Sequence, residues 1–225
     1  MAELAHDIRT PLTGIIALSE MLAGANLGER ERYWVTALRN SADHLASLTT
    51  LTVDAARANV SDMRLRRAPF YLRAMVDAVA AAIATRATSA GLQCTADIAD
   101  DLPQMAVGDV VRLRAALENL IDNAVKFTLR GGVGLKVTAE PRARDMRVTF
   151  EVSDSGIGLK PAEIKRLFKP FTQAHDGIAG RFGGTGLGLS LVKRMARAMK
   201  GDLGVTSTPG RGSTFILKVV VGRAL

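Results

Sequence analysis

Apolar residues in the first sixty positions recur with the period of an α-helix. On a helix of about 3.6 residues per turn over residues 3–25, one narrow stripe holds the apolar side chains of Leu4, Ile8, Ile15, Leu18 and Leu22. Helix-ending chemistry follows at residues 24–28, and a second helix is predicted over residues 29–58, with apolar positions three and four apart as in coiled coils. Such an antiparallel hairpin cannot bury its stripe alone, so we expect two copies to pair as a four-helix bundle, a homodimer.

Beyond residue 69 the pattern changes to alternating helices and strands. Residues 61–69 carry four charged groups and a proline, so we expect a helical unit at 1–60, a linker at 61–69 and a second domain at 70–225. The predicted elements of that domain are a helix at 70–90, a strand at 92–98, a helix at 109–128, strands at 132–139 and 146–153, a glycine-rich stretch at 176–188, a helix ending near Lys200, and strands at 202–207 and 213–221. This order predicts an α/β sandwich with helices on one face of a sheet.

Composition places the chain among globular proteins and excludes several classes. Of 225 residues, 48% are hydrophobic and 23% charged. The longest nearly apolar run, residues 75–84, is shorter than the ~20 residues that a bilayer span needs, and the first thirty residues hold no signal-peptide core. One cysteine and three scattered histidines exclude a disulfide framework and argue against a metal enzyme. We therefore expect a cytoplasmic location.

The formal net charge of +8 is unevenly distributed. Residues 1–62 hold 5 Lys and Arg against 8 Asp and Glu, a net charge of −3, whereas the rest of the chain holds 25 against 14, a net charge of +11. Aromatic residues make up only 4% of the chain, so the stacking side chains typical of nucleic-acid grooves are scarce. The basic part suits phosphate-bearing small ligands or acidic protein partners, and we expect no nucleic-acid partner.

His6 lies on the polar side of the first predicted helix, opposite the apolar stripe. Asp7 flanks it and Thr10 follows one turn later, so a carboxylate can hydrogen-bond one ring nitrogen and make the other more nucleophilic. Pro11 removes a backbone hydrogen bond and bends the helix just after the histidine. A solvated surface histidine accounts for the same residues, and both interpretations stay open at this point.

Two asparagines and a lysine share one face of the helix predicted over residues 109–128. Asn119, Asn123 and Lys126 lie away from the core face, which holds Leu117, Leu120, Ala124 and Phe127. Asparagine is a poor helix former, so two asparagines one turn apart destabilise the helix and suggest that their side chains have a function. Amide oxygens suit Mg²⁺ and a lysine suits phosphates. The alternative is a polar, solvated flank.

A carboxylate and two glycines follow the best-defined predicted strand. Asp154 continues the inward alternation of Phe150 and Val152, so its carboxylate reaches the covered face of the sheet at a strand end. A half-buried carboxylate needs a hydrogen-bond donor, which an adenine amino group would supply. Gly156 and Gly158 let the backbone approach a flat base closely, although a tight turn alone explains the same pattern.

Alternate glycines over residues 183–190 open the next predicted helix. Their unobstructed backbone N–H groups favour an anion at a helix N-terminus, while the spacing differs from a P-loop and from a Rossmann fingerprint. A flexible hinge is the alternative, and residues 172–182 before it are predicted to form a mobile lid. The turn at residues 207–215 is weaker, and we interpret it as structural.

In this order, these segments resemble the catalytic core of bacterial sensor histidine kinases over essentially the whole chain. The matching boxes are the phospho-acceptor box at 5–11, the N box at 119–128, the first glycine box at 154–158, the F box at 167–171, the lid-closing glycine box at 184–188 and the last box at 210–215. The resemblance implies a dimeric helical hairpin followed by an α/β sandwich of the Bergerat type, similar to that of gyrase and heat-shock chaperones. The F-box region is similar to that of hybrid kinases, which carry their own receiver.

The same resemblance implies roles for individual residues. His6 would accept the phosphoryl group, Asp7 would polarise its ring, and Thr10 would position a water for dephosphorylation of the receiver. ATP would place its adenine on Asp154, and Mg²⁺ would bind Asn123. The further nucleotide-binding residues that it implies are Asn119, Lys126, Gly156, Gly158, Arg181, Gly184, Thr185, Gly186, Leu187, Gly188 and Thr214. The phosphoryl group would then pass to an aspartate of a response-regulator receiver domain.

The match has three departures. Asp7 stands where many relatives carry Glu, and residues 172–173 are Thr-Gln where some place Tyr-Arg, which makes Arg181 the substitute for a phosphate contact. The first helix starts almost at His6, so we expect an upstream sensor or transmembrane segment to be missing from this chain. Two alternatives are a nucleotide-binding scaffold that does not phosphorylate itself, and an ATPase of the gyrase or chaperone type. The second has no need for the phospho-acceptor box.

Overall fold

The structure, a computed structural model, describes residues 65–169 and 188–224 without interruption, together with scattered positions between 14 and 38. The chain divides into two compact units, Met1–Asn59 and Val60–Leu225. The residues proposed for phosphate chemistry in the first unit, His6, Asp7 and Thr10, lie outside the described residues. Arg181 and residues 184–187, together with the expected lid at 172–182, lie outside them as well.

The described positions of the first unit belong to two helical stretches with a break between them. Positions between 14 and 22 and between 30 and 38 are helical, whereas Ala25, Leu27 and Gly28 are not. A bond from the Ala25 N–H to the Leu22 carbonyl (3.0 Å) closes the first stretch, as the sequence predicts for residues 24–28. Six described apolar side chains in this unit are exposed, namely Ile15, Leu18, Met21, Leu22, Trp34 and Leu38.

The second unit is built on a seven-stranded sheet. Its elements in chain order are β1 (Ala68–Tyr71), α1 (Leu72–Ser89), β2 (Gln93–Ile98), β3 (Met105–Gly108), α2 (Val110–Lys126), β4 (Gly132–Pro141), β5 (Asp145–Asp154), α3 (Pro161–Arg166), α4 (Gly188–Ala198), β6 (Asp202–Thr208) and β7 (Gly212–Arg223). The strand order is β1-β3-β7-β5-β4-β2, and β6 pairs with β7. Only the pairing of β2 with β4 is parallel among these strands.

Strict alternation along β5 and β7 gives the sheet one covered face and one open face. Phe150 pairs with Leu217 and Val148 with Val219, and all four are completely buried. Helices α1, α2 and α4 bury their apolar stripes among the same core, for example through Leu120, which is also completely buried. Residues between these positions on β5, such as the threonine at 149, stay half-exposed on the other face. The expected α/β sandwich is confirmed.

Three short elements were not predicted from the sequence. Strands β1 and β3 have four residues each, too few for an alternation to be recognised, and β1 carries Pro69 on an edge that needs no N–H donor. Helix α3 has six residues and begins with Pro161 at its first position. The Lys160 N–H, just before it, donates to the Glu163 carboxylate (2.6 Å). These elements lengthen the framework without changing its architecture.

Helix α2 is fixed at its start by a buried carboxylate. Asp109, only 5% exposed, accepts hydrogen bonds from the backbone N–H groups of Arg66 (2.9 Å) and Arg112 (3.1 Å). The Arg112 guanidinium adds an ion pair at 2.6 Å. Burial alone would raise the pKa of Asp109, but these donors outweigh it and hold the pKa below its ordinary value. The carboxylate is therefore a charged N-cap that positions α2.

None of the helices that the structure describes is both long and apolar enough to cross a bilayer.

Candidate functional site

The last residue of β5 carries the carboxylate that the sequence analysis singled out. Asp154 pairs with Val133 on one side and with Ser213 on the other, and so lies on the covered face, as predicted from the alternation of β5. Its Oδ1 accepts hydrogen bonds from the N–H groups of Gly156 (2.9 Å) and Ser213 (3.3 Å). Among the described residues no donor reaches Oδ2, and the residue is half-buried. Asp154 therefore offers one open acceptor.

The environment of this carboxylate disfavours its charge. Burial raises the pKa of Asp154 above its ordinary value, and the hydrogen bonds from Gly156 and Ser213 oppose that rise only partly. A ligand that donates a hydrogen bond to Oδ2 would stabilise the ionised form further. The chemistry at this position fits an amino group with an N–H directed at the end of β5.

The turn after Asp154 is held against the backbone of other elements. A Cβ on Gly156 would collide with the Phe127 carbonyl at the end of α2, and the Ile157 N–H donates to that carbonyl (3.3 Å). Gly158 has φ +64° and lies against the Thr208 carbonyl. Both glycines are therefore required by the chain's own packing.

The turn between β6 and β7 forms the wall beside Asp154. The Ser207 hydroxyl accepts from the Leu159 N–H (2.8 Å) and donates to the Gly212 carbonyl (2.9 Å). The Gly210 N–H donates to the Ile157 carbonyl (2.8 Å), and Gly212, at φ +100°, lies against the Asp154 carbonyl. The pattern of residues 207–215 on its own predicts a structural turn, whereas in the structure this turn lies directly beside Asp154.

Register corrects one expected site residue. Thr214 pairs with Ser153 and Thr206, so it lies on the open face of the sheet, away from the Asp154 carboxylate. Its neighbour Ser213 pairs with Asp154 and supplies the second backbone donor. Sequence reasoning missed Ser213 and Ser207, because their proximity to Asp154 depends on which residue of β7 opposes which residue of β5.

The two asparagines of α2 are brought together as predicted. The Asn123 Nδ2 donates to the Asn119 Oδ1 at 3.2 Å, and both side chains are half-buried. This bond uses the nitrogen of Asn123, and in the described part of the chain no donor reaches its Oδ1. Gly188, the first residue of α4, packs on the same pair, since a Cβ there would lie 2.6 Å from the Asn119 Nδ2. An amide oxygen is thus left for a hard cation.

Lys126 follows the asparagine pair at the end of α2. Burial lowers the pKa of its ammonium below the ordinary value, and the nearby Asp122 carboxylate partly offsets that effect. The ammonium lies 5.4 Å from the centre of the Phe127 ring. A partly desolvated cation beside two amides is suited to an anionic ligand.

Among the described residues, no group of three or more His, Cys, Asp or Glu side chains could hold a metal ion. A divalent cation at this site would have to bind through amide oxygens, ligand phosphates and water, which is how Mg²⁺ is commonly held. The Asn123 oxygen fits that requirement. The site thus combines an acceptor for an amino group, an amide for a cation and an ammonium for an anion.

Two family profiles cover most of the chain. Residues 108–223 match the family described as histidine kinase-, DNA gyrase B-, and HSP90-like ATPase. Residues 1–59 match the His Kinase A (phospho-acceptor) domain. The first match contains the N-cap of α2, the asparagine pair and Asp154, and so includes every described residue of the site.

Curated relatives agree with the two profiles. The chain is 33% identical over 225 residues to the sensor protein GacS of Pseudomonas syringae pv. syringae, covering 100% of this chain and 25% of that protein. It is 34% identical over 218 residues to the signal transduction histidine-protein kinase BarA of Escherichia coli K12, with 96% and 24% covered. The sensory/regulatory protein RpfC of Xanthomonas campestris pv. campestris is 36% identical over 217 residues, with 96% and 30% covered. The chain thus spans about a quarter of the length of these relatives.

Solved structures give the same result. Full-length ShkA in complex with AMPPNP is 35% identical, with a TM-score of 0.72, and the match covers 100% of this chain and 46% of that one. The histidine kinase AdeS of Acinetobacter baumannii is 26% identical, with a TM-score of 0.57 and 95% and 96% covered. The chain belongs to the histidine kinase-, DNA gyrase B-, and HSP90-like ATPase family, and with its His Kinase A domain it is the catalytic core of a sensor histidine kinase.

Proposed function

We propose that the second unit binds ATP with the adenine amino group donating to Oδ2 of Asp154. The observation that carries this proposal is the hydrogen bonding of that carboxylate: both backbone donors, from Gly156 and Ser213, use Oδ1, and no described residue donates to Oδ2. The raised pKa of Asp154 supports it, because a ligand N–H would compensate for the buried charge. An AMPPNP complex of the relative ShkA points to the same class of ligand.

We propose that the phosphates lie along the Asn119, Asn123 and Lys126 face of α2. Asn123 would hold Mg²⁺ through its free Oδ1, with Asn119 orienting that amide through the 3.2 Å bond between them. Lys126 would contact the phosphates. Glycine N–H groups at residues 184, 186 and 188 would complete the anion site, with Thr185, Leu187 and Arg181 beside them. When bound, the cation would supply positive charge that stabilises the negative charge of the phosphates.

The reaction that we propose is transfer of the γ-phosphoryl group of ATP to His6. The neutral imidazole attacks phosphorus, an N–P bond forms, the bond to the bridging oxygen breaks, and ADP leaves with the electron pair. Asp7 polarises the ring. The phosphoryl group then passes to an aspartate of a response-regulator receiver domain in two-component signalling, and Thr10 positions the water for the reverse, receiver-dephosphorylating activity. We place this chemistry in a cytoplasmic homodimer paired through the helical hairpin, in keeping with the exposed apolar side chains described there.

Labelling with γ-labelled ATP and Mg²⁺ tests the acceptor. We expect acid-labile, alkali-stable label on the wild-type protein, none on the His6→Ala variant, and undiminished label on a His44→Ala control, whose histidine lies in the same unit. Label that persists after His6→Ala would remove His6 from the reaction. Nucleotide binding without label in the wild type would favour the alternative, a kinase-like scaffold that does not phosphorylate itself.

A further inference from the structure

A second concave site lies at the other end of the sheet. It has a volume of about 440 Å³ and is lined by Arg142, Ala143, Arg144, Asp145, Lys200 and Val220. Residues 142–144 form the turn between β4 and β5, Asp145 begins β5, and Lys200 follows α4. Val220 lies between the buried Val219 and Val221 on β7, so it faces the open side of the sheet and forms the floor of this site. We call it the Arg142–Lys200 pocket.

The pocket has an uncompensated positive charge. Three of its lining residues are cationic, and its one carboxylate, Asp145, already forms an ion pair with Arg67 at 3.9 Å. Across residues 65–169 and 188–224, the side chains of Arg142, Arg144 and Lys200 form no hydrogen bond or ion pair. The backbone that carries them is fixed, because the Arg142 N–H donates to the Asp145 carbonyl (2.9 Å) and the Arg144 carbonyl accepts from Arg223 (3.4 Å).

Lys200 is held in a conformation that a lysine does not favour. Its φ is +57°, and it is the only non-glycine residue with positive φ in the described part of the chain. The position is the left-handed residue that ends α4, where the Gly201 N–H donates to the Ala196 carbonyl (2.8 Å) and where glycine or asparagine is usual. Lysine is thus a less favourable residue for this helix end than glycine or asparagine, and Lys200 also lines the pocket.

The nucleotide site does not account for these cations. Asp145 and Asp154 stand at opposite ends of the ten-residue strand β5. A strand of that length separates them by about 30 Å at ~3.4 Å per residue. Phosphates of a nucleotide bound at Asp154 therefore cannot reach it.

We propose that the Arg142–Lys200 pocket binds a small ligand that carries two or more phosphate groups. Two guanidinium groups match phosphate oxygens in pairs, and the ammonium of Lys200 adds a third positive charge. This site is separate from ATP binding and does not rest on it.

The test is a titration of the isotope-labelled chain with inorganic pyrophosphate, followed by amide chemical shifts, which distinguish the pocket from the nucleotide site residue by residue. We expect saturable shifts at Ala143, Lys200 and Val220, with affinity falling as salt is added. Each single loss of a cation, in Lys200→Asn or Arg144→Gln, should weaken binding by about fivefold to tenfold. Asparagine is chosen because it tolerates the left-handed conformation, so the helix end is preserved.

The matched control is Arg114→Gln, which removes an exposed arginine of α2 that makes no ion pair or hydrogen bond in the described structure. It should leave pyrophosphate affinity unchanged. Equal weakening in Arg114→Gln would mean that only overall charge is sensed and would overturn the proposal. Shifts confined to residues near Asp154, or no saturation up to about 1 mM, the weak end of specific binding, would overturn it as well.

Discussion

Replacing Asp154 by asparagine isolates the proposed adenine contact with almost no change of shape. The amide oxygen can keep both hydrogen bonds that Oδ1 now accepts, from Gly156 at 2.9 Å and from Ser213 at 3.3 Å. The amide nitrogen then replaces Oδ2 and presents a donor where the adenine amino group also presents a donor. The lost interaction is a hydrogen bond to a charged group, about 1.5–3 kcal/mol, so the Kd for ATP should rise by about ten- to 150-fold.

Stability should move in the opposite direction. Because burial raises the pKa of Asp154 in the folded chain, ionisation opposes folding. The free energy of unfolding therefore falls as the pH rises from the ordinary pKa of the unfolded chain through the raised value. Asp154→Asn carries no charge at this position, so at neutral pH its free energy of unfolding should be at least as large as that of the wild type. A variant that binds poorly and yet unfolds no earlier is the signature of a ligand-binding carboxylate.

Calorimetry with a non-hydrolysable ATP analogue and thermal unfolding together measure both quantities. The matched control is Asp145→Asn, the same substitution at the other end of β5, whose partner is Arg67 at 3.9 Å. It should leave the Kd for the analogue unchanged. An unchanged Kd in Asp154→Asn would refute the assignment of Oδ2, and a large fall in its melting temperature would refute the argument from the pKa.

Two further predictions concern the framework of the site. Gly158→Ala should lower the free energy of unfolding more than Gly91→Ala, because both glycines have positive φ but only Gly158 also lies against a carbonyl, that of Thr208. For Gly91→Ala, urea titration should show a loss of about 1–2 kcal/mol in the free energy of unfolding. Equal losses in the two variants would contradict the packing argument. Asp109→Ala should cost about 1–2 kcal/mol at neutral pH. Since the pKa of Asp109 is lowered, that difference should vanish as the pH falls through the lowered value, and a pH-independent difference would contradict the charged N-cap.

The sequence was sufficient for the parts of the site that depend on local periodicity. Alternation along β5 placed Asp154 on the covered face, and the helical period placed Asn119 and Asn123 together on one side of α2, where the structure finds their side chains hydrogen-bonded. Both inferences need only neighbours within one element. They hold because an element buried on one side must keep its apolar period.

The residues that sequence reasoning missed depend on contacts between distant segments. Ser213 donates to Asp154 across 59 positions of the chain, and this proximity follows from the register of β7 on β5. A shift of one residue in that register would exchange the faces, and the family resemblance from which Thr214 was expected does not fix the register. Strands β1 and β3, with four residues each, are too short to show a period.

The contact between Gly188 and the Asn119 amide has a consequence for engineering the kinase. Because the first residue of α4 leaves no room for a methyl group beside that amide, an alanine at position 188 would have to push the asparagine aside while leaving the far end of β5 untouched. Such a mutant would disturb the proposed cation contact on α2 and leave the proposed base contact at Asp154 unchanged. The contributions of the phosphate contacts and of the base contact to nucleotide binding could then be measured separately.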